Sequence, residues 1–342
     1  MRAFFYLLII LIVTIGAIAL PLVSDVQGFL TGPLHLPEGR CYYVVVPRTG
    51  LPALAQDLAQ LGIIKRPLYL VALGWWRGDW RRFQAGEYLL RPQMTPDELL
   101  DMMAAGRVAL HSLTLVEGWT FSQAREAVSL HDRLEHHLDR ANDREVMTAL
   151  HASGTAPEGL LFPDTYRFPA GTTDVALLER ARRAMQTHLT QEWAQRAPNL
   201  PYRNSYEALT LASLVEKETA VPEERPRIAG VFIRRLQRQI PLQTDPTVIY
   251  GLGDAYTGRL RRTDLQTDTA YNTYIHHGLP PSPIALPSLA SLRAALHPAP
   301  GEELYFVSRG DKTHQFSVTL EEHNAAVRHY RSVTAALTGP VR

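Results

Sequence analysis

The sequence predicts an α+β protein in several parts: an apolar N-terminal helix, a small α/β module, and a larger domain of mixed helices with a β-hairpin near its end. Three observations carry this expectation. A charge-free aliphatic run opens the chain between Ala3 and Val23. Short β-branched and aromatic runs then alternate with helical apolar spacing over residues 41–110. Beyond residue 201 the spacing is mainly helical, broken by one strand–turn–strand pattern. The 342 residues suffice for two or three domains. With 46% hydrophobic and 20% charged residues, the composition is that of a globular protein. Thirty-five basic residues against 34 acidic give a net charge of +1, so no general attraction to nucleic acid is expected. Local basic patches remain, as at Arg77, Arg81 and Arg82.

The boundaries rest on these shifts: residues 1–24 as cytoplasmic N-terminus and transmembrane anchor, 25–40 as linker, 41–110 as the module, 111–200 as a connecting extension, and 201–342 as the main domain. A helix needs about 20 apolar residues to cross the hydrocarbon core, and the first run just meets that length. Arg2 precedes it, Asp25 is the first charge after it, and the next basic residue is Arg40. The positive-inside bias therefore predicts a single-pass protein with its bulk outside the cytoplasm. Ala17-Ile18-Ala19 resembles a signal cleavage site, but the run exceeds the roughly 7–15 residues of a signal h-region.

In the module, Tyr42–Val46 reads as a strand followed by a Thr49-Gly50 turn. Leu51, Leu54, Leu58 and Leu61 mark a helix that stops at Gly62. A second helix is predicted over Pro67–Trp75 and a strand over Glu87–Leu90. Thr95 as N-cap and Pro96 at the first position start a third helix, ended by Gly106. Leu113–Val116, the turn at Gly118 and Phe121–Leu130 repeat the order strand, Gly-turn, helix. The single cysteine, Cys41, cannot form an internal disulfide and reads as a small buried apolar residue.

Residues 132–157 are polar and weakly periodic, and the pairs His136-His137 and His276-His277 lack metal-ligand spacing and read as solvent-exposed. A long amphipathic helix spans Thr173–Ala194. Asn204 with Glu207 fits a capping box for a helix reaching Thr219. Pro222-Glu223-Glu224 signals another start, although Pro226 moves the true start toward itself. Glu303–Val307 and His314–Val318 form the hairpin, and Leu320–Leu337 the last helix.

No GxSxG elbow, Walker A loop, GxGxxG or paired CxxC is present, so nucleotide and metal chemistry are disfavoured and no cofactor is expected. The chemically informative stretch is Ala212–Thr219, which ends a nearly all-apolar helix with Glu216 and Glu218. Residues two apart point about 200° from each other, so both cannot face one groove. Glu218 continues the line Leu211, Val215; Glu216 lies nearer Leu209 and Ala212, and Lys217 points to solvent. A carboxyl held against apolar walls stays protonated near neutral pH, as a general acid requires. On spacing alone, two solvated carboxylates at a frayed helix end are the favoured reading. The runs Leu242–Gly251, Ala270–Tyr274 and Gly278–Ile284 are rich in Tyr, Asn, Gln, Thr and Pro, and read as loops. Such residues suit sugar rings, or ordinary turns.

Taken together, ASLVEKETA, GVFIRRL, LQTDPTVIYG, TAYNTY, GLPPSPI, Ala-Leu-His-Pro at 295–298, ELYFV, the His-Gln-Phe of 314–316 and the upstream EGLLFPDTY resemble the endolytic murein transglycosylase, or YceG-like, family over nearly the whole chain. Ser282, where Gly is common, and Pro226 depart from its pattern. The resemblance implies a LysM-like module and a lysozyme- and transglycosylase-like catalytic domain. It implies Glu218 as the catalytic acid/base. Glu216, Gln243, Thr244, Asp245, Tyr250, Tyr271, Asn272 and Tyr274 are the expected substrate-binding residues. It further implies peptidoglycan glycan strands as substrate, an inner-membrane location, and peptidoglycan synthases such as penicillin-binding proteins as partners. The expected reaction cleaves the MurNAc–GlcNAc bond and leaves 1,6-anhydro ends, terminating or trimming strands. The rival readings are a hydrolase pairing Glu218 with Asp245, and a non-enzymatic wall-binding scaffold.

Overall fold

A computed structural model describes residues 2–36 and 39–337. Residues 1, 37–38 and 338–342, which fall in the predicted anchor, linker and main domain, lie outside the described residues. Helix α1 (Arg2–Thr31) takes in the whole apolar run. Its segment Ile9–Thr31, 23 residues, is long and apolar enough to cross a membrane, and by length and composition suits an anchor or a signal sequence.

The stretch predicted as linker is in large part ordered structure. The helix does not stop at Val23, because Asp25 finds partners: its carboxylate lies 3.3 Å from the Arg66 guanidinium and accepts from the Tyr69 hydroxyl at 2.8 Å. Phe29 and Leu30 pack on the module, and Leu34 is buried in its core. These residues are module structure rather than spacer.

Contacts divide the chain into two units. The first runs from α1 to His111 and takes back Arg167–Gly171. It contains β1 (Cys41–Val45), α2 (Leu51–Gln60), α3 (Pro67–Arg77), β2 (Gly86–Leu90) and α4 (Pro96–Ala104). β1 and β2 pair antiparallel, with Tyr43 opposite Tyr88. The predicted apolar positions Leu51, Leu54 and Leu58 are buried against Leu70, Tyr88, Leu99 and Met103. Gly74 lets α2 approach α3: a Cβ there would sit 2.5 Å from Leu51. Thr95 caps α4 with the full reciprocal box to Glu98. Cys41 packs beside this core but is only half-buried.

β3 (Leu110–Thr114) and β5 (Thr165–Pro169) carry the chain across the boundary between the units. The second unit holds α5 (Phe121–Ser129), β4 (Leu134–Glu135), α6 (Asp143–Ala149), β6 (Thr172–Thr173) and α7 (Asp174–Ala194). It continues with α8 (Ser205–Glu218), α9 (Arg225–Gln237), α10 (Asp245–Leu252), α11 (Leu289–Leu296), β7 (Tyr305–Ser308), β8 (His314–Ser317) and α12 (Leu320–Leu337). The predicted boundary at residue 200 is not reproduced, because α7 packs on α8 and α11 within one unit.

Several local differences have simple causes. Helix α6 escapes the sequence pattern because seven residues are too few for a period, although Asn142 and Glu145 make a full capping box. Residues 245–252, read as loop, form α10, with Pro246 in its first turn. Asn204 caps α8, but Glu207 turns back to the Arg203 backbone N–H at 2.7 Å instead of completing the box. A 3₁₀ turn at Pro222–Glu224 precedes α9, so Pro226 falls in the first helical turn, where a missing N–H costs nothing. His137, His276 and His277 are exposed; His136 is partly buried, its Nε2 3.2 Å from the His131 carbonyl.

Helix α8 is the centre of this unit, touched by α7, α9, α10 and α11. Every residue from Ala208 to Val215 is buried. Leu211, Leu214 and Val215 join Phe232 of α9, Ile284 of the loop before α11, and Leu292 of α11 in one core. Phe232 is wholly buried and meets Phe306 of the hairpin edge-on at 5.7 Å. Phe232→Ala should therefore lower the unfolding free energy of this unit by about 3–5 kcal/mol, read as a lower urea midpoint at unchanged slope.

Candidate active site

Glu218 is the last residue of α8, and its carboxyl accepts a hydrogen bond from the Thr244 hydroxyl. Thr244 stands at the N-cap of α10, yet its side chain does not cap that helix. The hydroxyl is left for Glu218. Its own placement is over-determined. The Thr244 N–H donates to Thr273 Oγ1 at 3.1 Å, and the Thr247 hydroxyl donates to the Thr244 carbonyl at 2.7 Å. Gln243, just before it, adopts φ +53° and donates its N–H to the Thr273 carbonyl at 3.1 Å.

Arg235 of α9, which sequence reasoning did not single out, fastens this turn from beneath. Its buried guanidinium donates to the carbonyls of Leu304 (2.7 Å), Pro241 (2.8 Å) and Leu242 (2.9 Å), and to Gln243 Oε1 at 3.2 Å. The signal for it is slight: an arginine on the apolar side of an otherwise amphipathic helix.

Burial pushes the Glu218 carboxyl up from 4.5 to about 7; the Thr244 hydroxyl acts against this and the neighbouring Asp245 charge adds to it. Asp245 in turn accepts from the Tyr274 hydroxyl at 2.6 Å. Four of the expected residues, Glu218, Thr244, Asp245 and Tyr274, are thus brought together, with Gln243 in the supporting turn.

Glu216 is placed elsewhere. Its side chain is only 6% exposed and lies 3.9 Å from Arg225. It accepts from the Ser288 N–H at 2.9 Å and the Ser288 hydroxyl at 2.5 Å, and Ser288 is the N-cap of α11. The helix wheel makes only one of the two carboxylates inward; because α8 is covered all round, both are, toward different partners. Asn272 is also fully buried, and clamps its own loop by donating to the carbonyls of Leu265 (3.1 Å) and Thr267 (2.8 Å). Lys217, exposed as expected, donates to the Gly118 carbonyl at 3.1 Å.

A cleft of about 1120 Å³ opens beside Lys217 and Pro246, with Phe121, Gln123, Ile249, Tyr250 and Tyr271 in its wall. Tyr250 and Tyr271 meet edge-on at 4.8 Å, and the Tyr271 hydroxyl bonds Ser282 at 2.8 Å. Glu158 also lines it and is 5% exposed. Its carboxylate accepts from the N–H of Phe121 at 2.9 Å and from the Tyr250 hydroxyl at 3.0 Å. Burial raises its pKa to about 7 against those bonds. The signal is present in the sequence: a carboxylate set directly before the apolar run Gly159–Phe162.

Asp139 and Asp174 also line the cleft, and their ligand atoms and that of His136 lie within 4.8 Å of one another. Asp174 is already engaged, accepting from the N–H groups of His137, Leu138 and Val175 at 2.7–2.9 Å.

The chain matches the YceG-like family over residues 43–329. It is 30% identical over 272 residues to the endolytic murein transglycosylase of Bacillus subtilis, covering 73% of this chain and 74% of that protein. It is 28% identical over 322 residues to the endolytic murein transglycosylase of Streptococcus pneumoniae, covering 84% of this chain and 56% of the streptococcal one. A crystal structure of a YceG-like protein from Listeria monocytogenes superposes with a TM-score of 0.52 at 27% identity, covering 84% of this chain and 98% of that one.

The raised pKa of Glu218 makes a stability prediction. Between pH 4.5, its ordinary value, and about 7 the folded protein keeps a proton that the unfolded chain releases. Stability therefore falls as pH rises through that window. Glu218→Gln lacks this fall, so it should raise the melting temperature relative to the parent at about pH 8 and leave it unchanged at about pH 4.

Proposed function

The chain belongs to the YceG-like family, and on that premise we propose that it is a peptidoglycan lytic transglycosylase with Glu218 as its single acid/base. One observation carries the assignment: a carboxyl whose pKa is raised to about 7 by burial, held by Thr244 in the same unit as an aromatic-walled cleft. That carboxyl can arrive protonated and leave ionised near neutral pH.

In the proposed reaction, protonated Glu218 donates to the oxygen of the MurNAc–GlcNAc bond as the C1–O bond breaks. The muramic acid's acetamido group stabilises the positive charge that develops at C1. Ionised Glu218 then takes the proton from the C6 hydroxyl of the same sugar, and O6 bonds to C1. A 1,6-anhydro end results, and no water is consumed. The internal nucleophile gains from proximity, and the acid/base help is worth about 10²–10⁴-fold. While Glu218 is ionised, the Thr244 hydroxyl steadies its charge. Tyr250, Tyr271 and Gln123 offer flat faces and an amide to the sugars. Gln243, Asp245 and Tyr274 frame Glu218; Glu216 and Asn272 act through the frame they hold.

The β1–α2–α3–β2 order with antiparallel strands supports a LysM-like wall-binding module. A groove between Val45–Pro52 and Trp80–Ala85, with Trp75 stacked on Trp80 at 4.7 Å, offers it an aromatic face. α1 is proposed to anchor the protein in the cytoplasmic membrane with the N-terminus inside. Peptidoglycan synthases such as penicillin-binding proteins are the partners this reading carries with it.

Glu218→Gln should abolish anhydro-ended products from peptidoglycan, as read by mass spectrometry; parental yields from the variant would end the assignment. The parent's kcat/KM should fall as pH rises past about 7, because the donating proton is lost. Thr244→Val should move that fall to higher pH, since the hydroxyl it removes holds the pKa down. Asp245, close enough to act on Glu218, gives a two-carboxylate hydrolase its footing. Digestion in heavy-oxygen water decides between them: label entering the new ends identifies a hydrolase, and unlabelled ends a transglycosylase.

A further inference from the structure

We propose that the outward face of α3 rests on the lipid surface from which α1 emerges, so that the module touches the membrane as well as being tethered to it. The inference rests on the reading of α1 as a membrane anchor. Leu68, Ala72, Trp75 and Trp76 stand at i, i+4, i+7 and i+8 and form one stripe along α3. Leu68 is 78% exposed, Trp75 55% and Trp76 85%. The other side of the helix, Leu70, Leu73 and Gly74, is buried in the module core. A lone exposed leucine calls for no explanation, but three large apolar side chains on one face of an 11-residue helix do.

Lipid is the occupant because of where this helix is fixed. Tyr69 and Trp76 are seven residues apart, so they lie on the same side of α3. The Tyr69 ring meets Phe29 of α1 edge-on at 5.7 Å, and its hydroxyl donates to Asp25 at 2.8 Å. Just before Asp25, the side chains of Leu20, Leu22 and Val23 are unburied. The stripe therefore begins level with the point where the bare apolar surface of α1 meets its first carboxylate. Exposed Lys65 and Arg66 flank one end of the helix, and exposed Arg81 and Arg82 stand beyond the other. An amphipathic helix with tryptophan on its apolar side and cations at its margins is the chemistry that binds a headgroup layer. The aromatic groove takes up Trp75 but leaves Leu68 and Trp76 outside its lining.

The test uses the full chain in vesicles of phosphatidylethanolamine and phosphatidylglycerol, with or without acyl chains brominated near the headgroup. α1 contains no tryptophan, so quenching cannot arise from the span itself. The parent should resist extraction by alkaline carbonate and lose tryptophan emission on the brominated lipid. Trp76→Phe should stay in the membrane and lose about half of that quenching. Leu68→Glu, which keeps all five tryptophans, should also reduce it. A parent that resists carbonate but is not quenched, or variants quenched as strongly as the parent, would overturn the stripe and leave the anchor standing. Extraction of the parent by carbonate would overturn the anchor reading, and this inference with it.

Discussion

The chemistry proposed for this protein depends on keeping the Glu218 carboxyl out of water without removing its ability to ionise. Burial alone does the first and opposes the second. The Thr244 hydroxyl supplies a bond that the charged form accepts more strongly, so the two influences are set against each other at one atom. Much of the nearby structure is explained by that need. Arg235, Thr247 and Thr273 fix the backbone on either side of Thr244, and a buried guanidinium with only carbonyl and amide acceptors is a costly way to hold a turn. Such a bond partner has little freedom to drift, which is what positioning a proton donor requires.

Glu216 and Glu218 illustrate how environment separates two identical side chains. They leave the same helix two residues apart. Glu216 meets a hydroxyl, the backbone N–H at the start of α11 and a nearby arginine, which are all partners for a negative charge. Glu218 meets one hydroxyl and, in Asp245, a like charge. The first carboxylate joins two helices; the second is pushed toward its protonated form.

The elements legible in the sequence are those whose signal is local. The module's strands and helices, α7, α8, the hairpin and α12 all emerge from period and caps, because a half-buried element must alternate or repeat. α10 is not legible, since Asp245–Leu252 is short and its Thr-Asp-Pro start looks like a turn until the helix after it is seen. The site is legible in part for a related reason. Glu218 stands out because a carboxylate closing an apolar helix is unusual. Glu158 and Arg235 leave weaker local signals, because what chiefly marks them is burial imposed by distant segments: Tyr250 lies 92 residues from Glu158, and Leu304 lies 69 from Arg235. The resemblance to a family supplies the motifs around them but not the contacts that give them meaning. The linker expectation fails for the opposite reason: the local charge at Asp25 reads as an end, while its partners lie in and beside α3.

A single group that must donate a proton in one half of a reaction and accept one in the other gains nothing from an extreme pKa. Held far above ambient pH, it would donate sluggishly; held far below, it would rarely carry a proton to give. A value near 7 serves both halves; burial raises the Glu218 carboxyl to it, and two adjacent residues trim it in opposite directions, Thr244 lowering it and Asp245 raising it. Because both belong to the start of α10, a displacement of that one turn would alter both influences together. The anchoring of α10 by Arg235 and Thr273 is therefore a constraint on the pKa of Glu218 as much as on its position. It also explains why the fold commits so many buried polar side chains to a segment that carries no large share of the core.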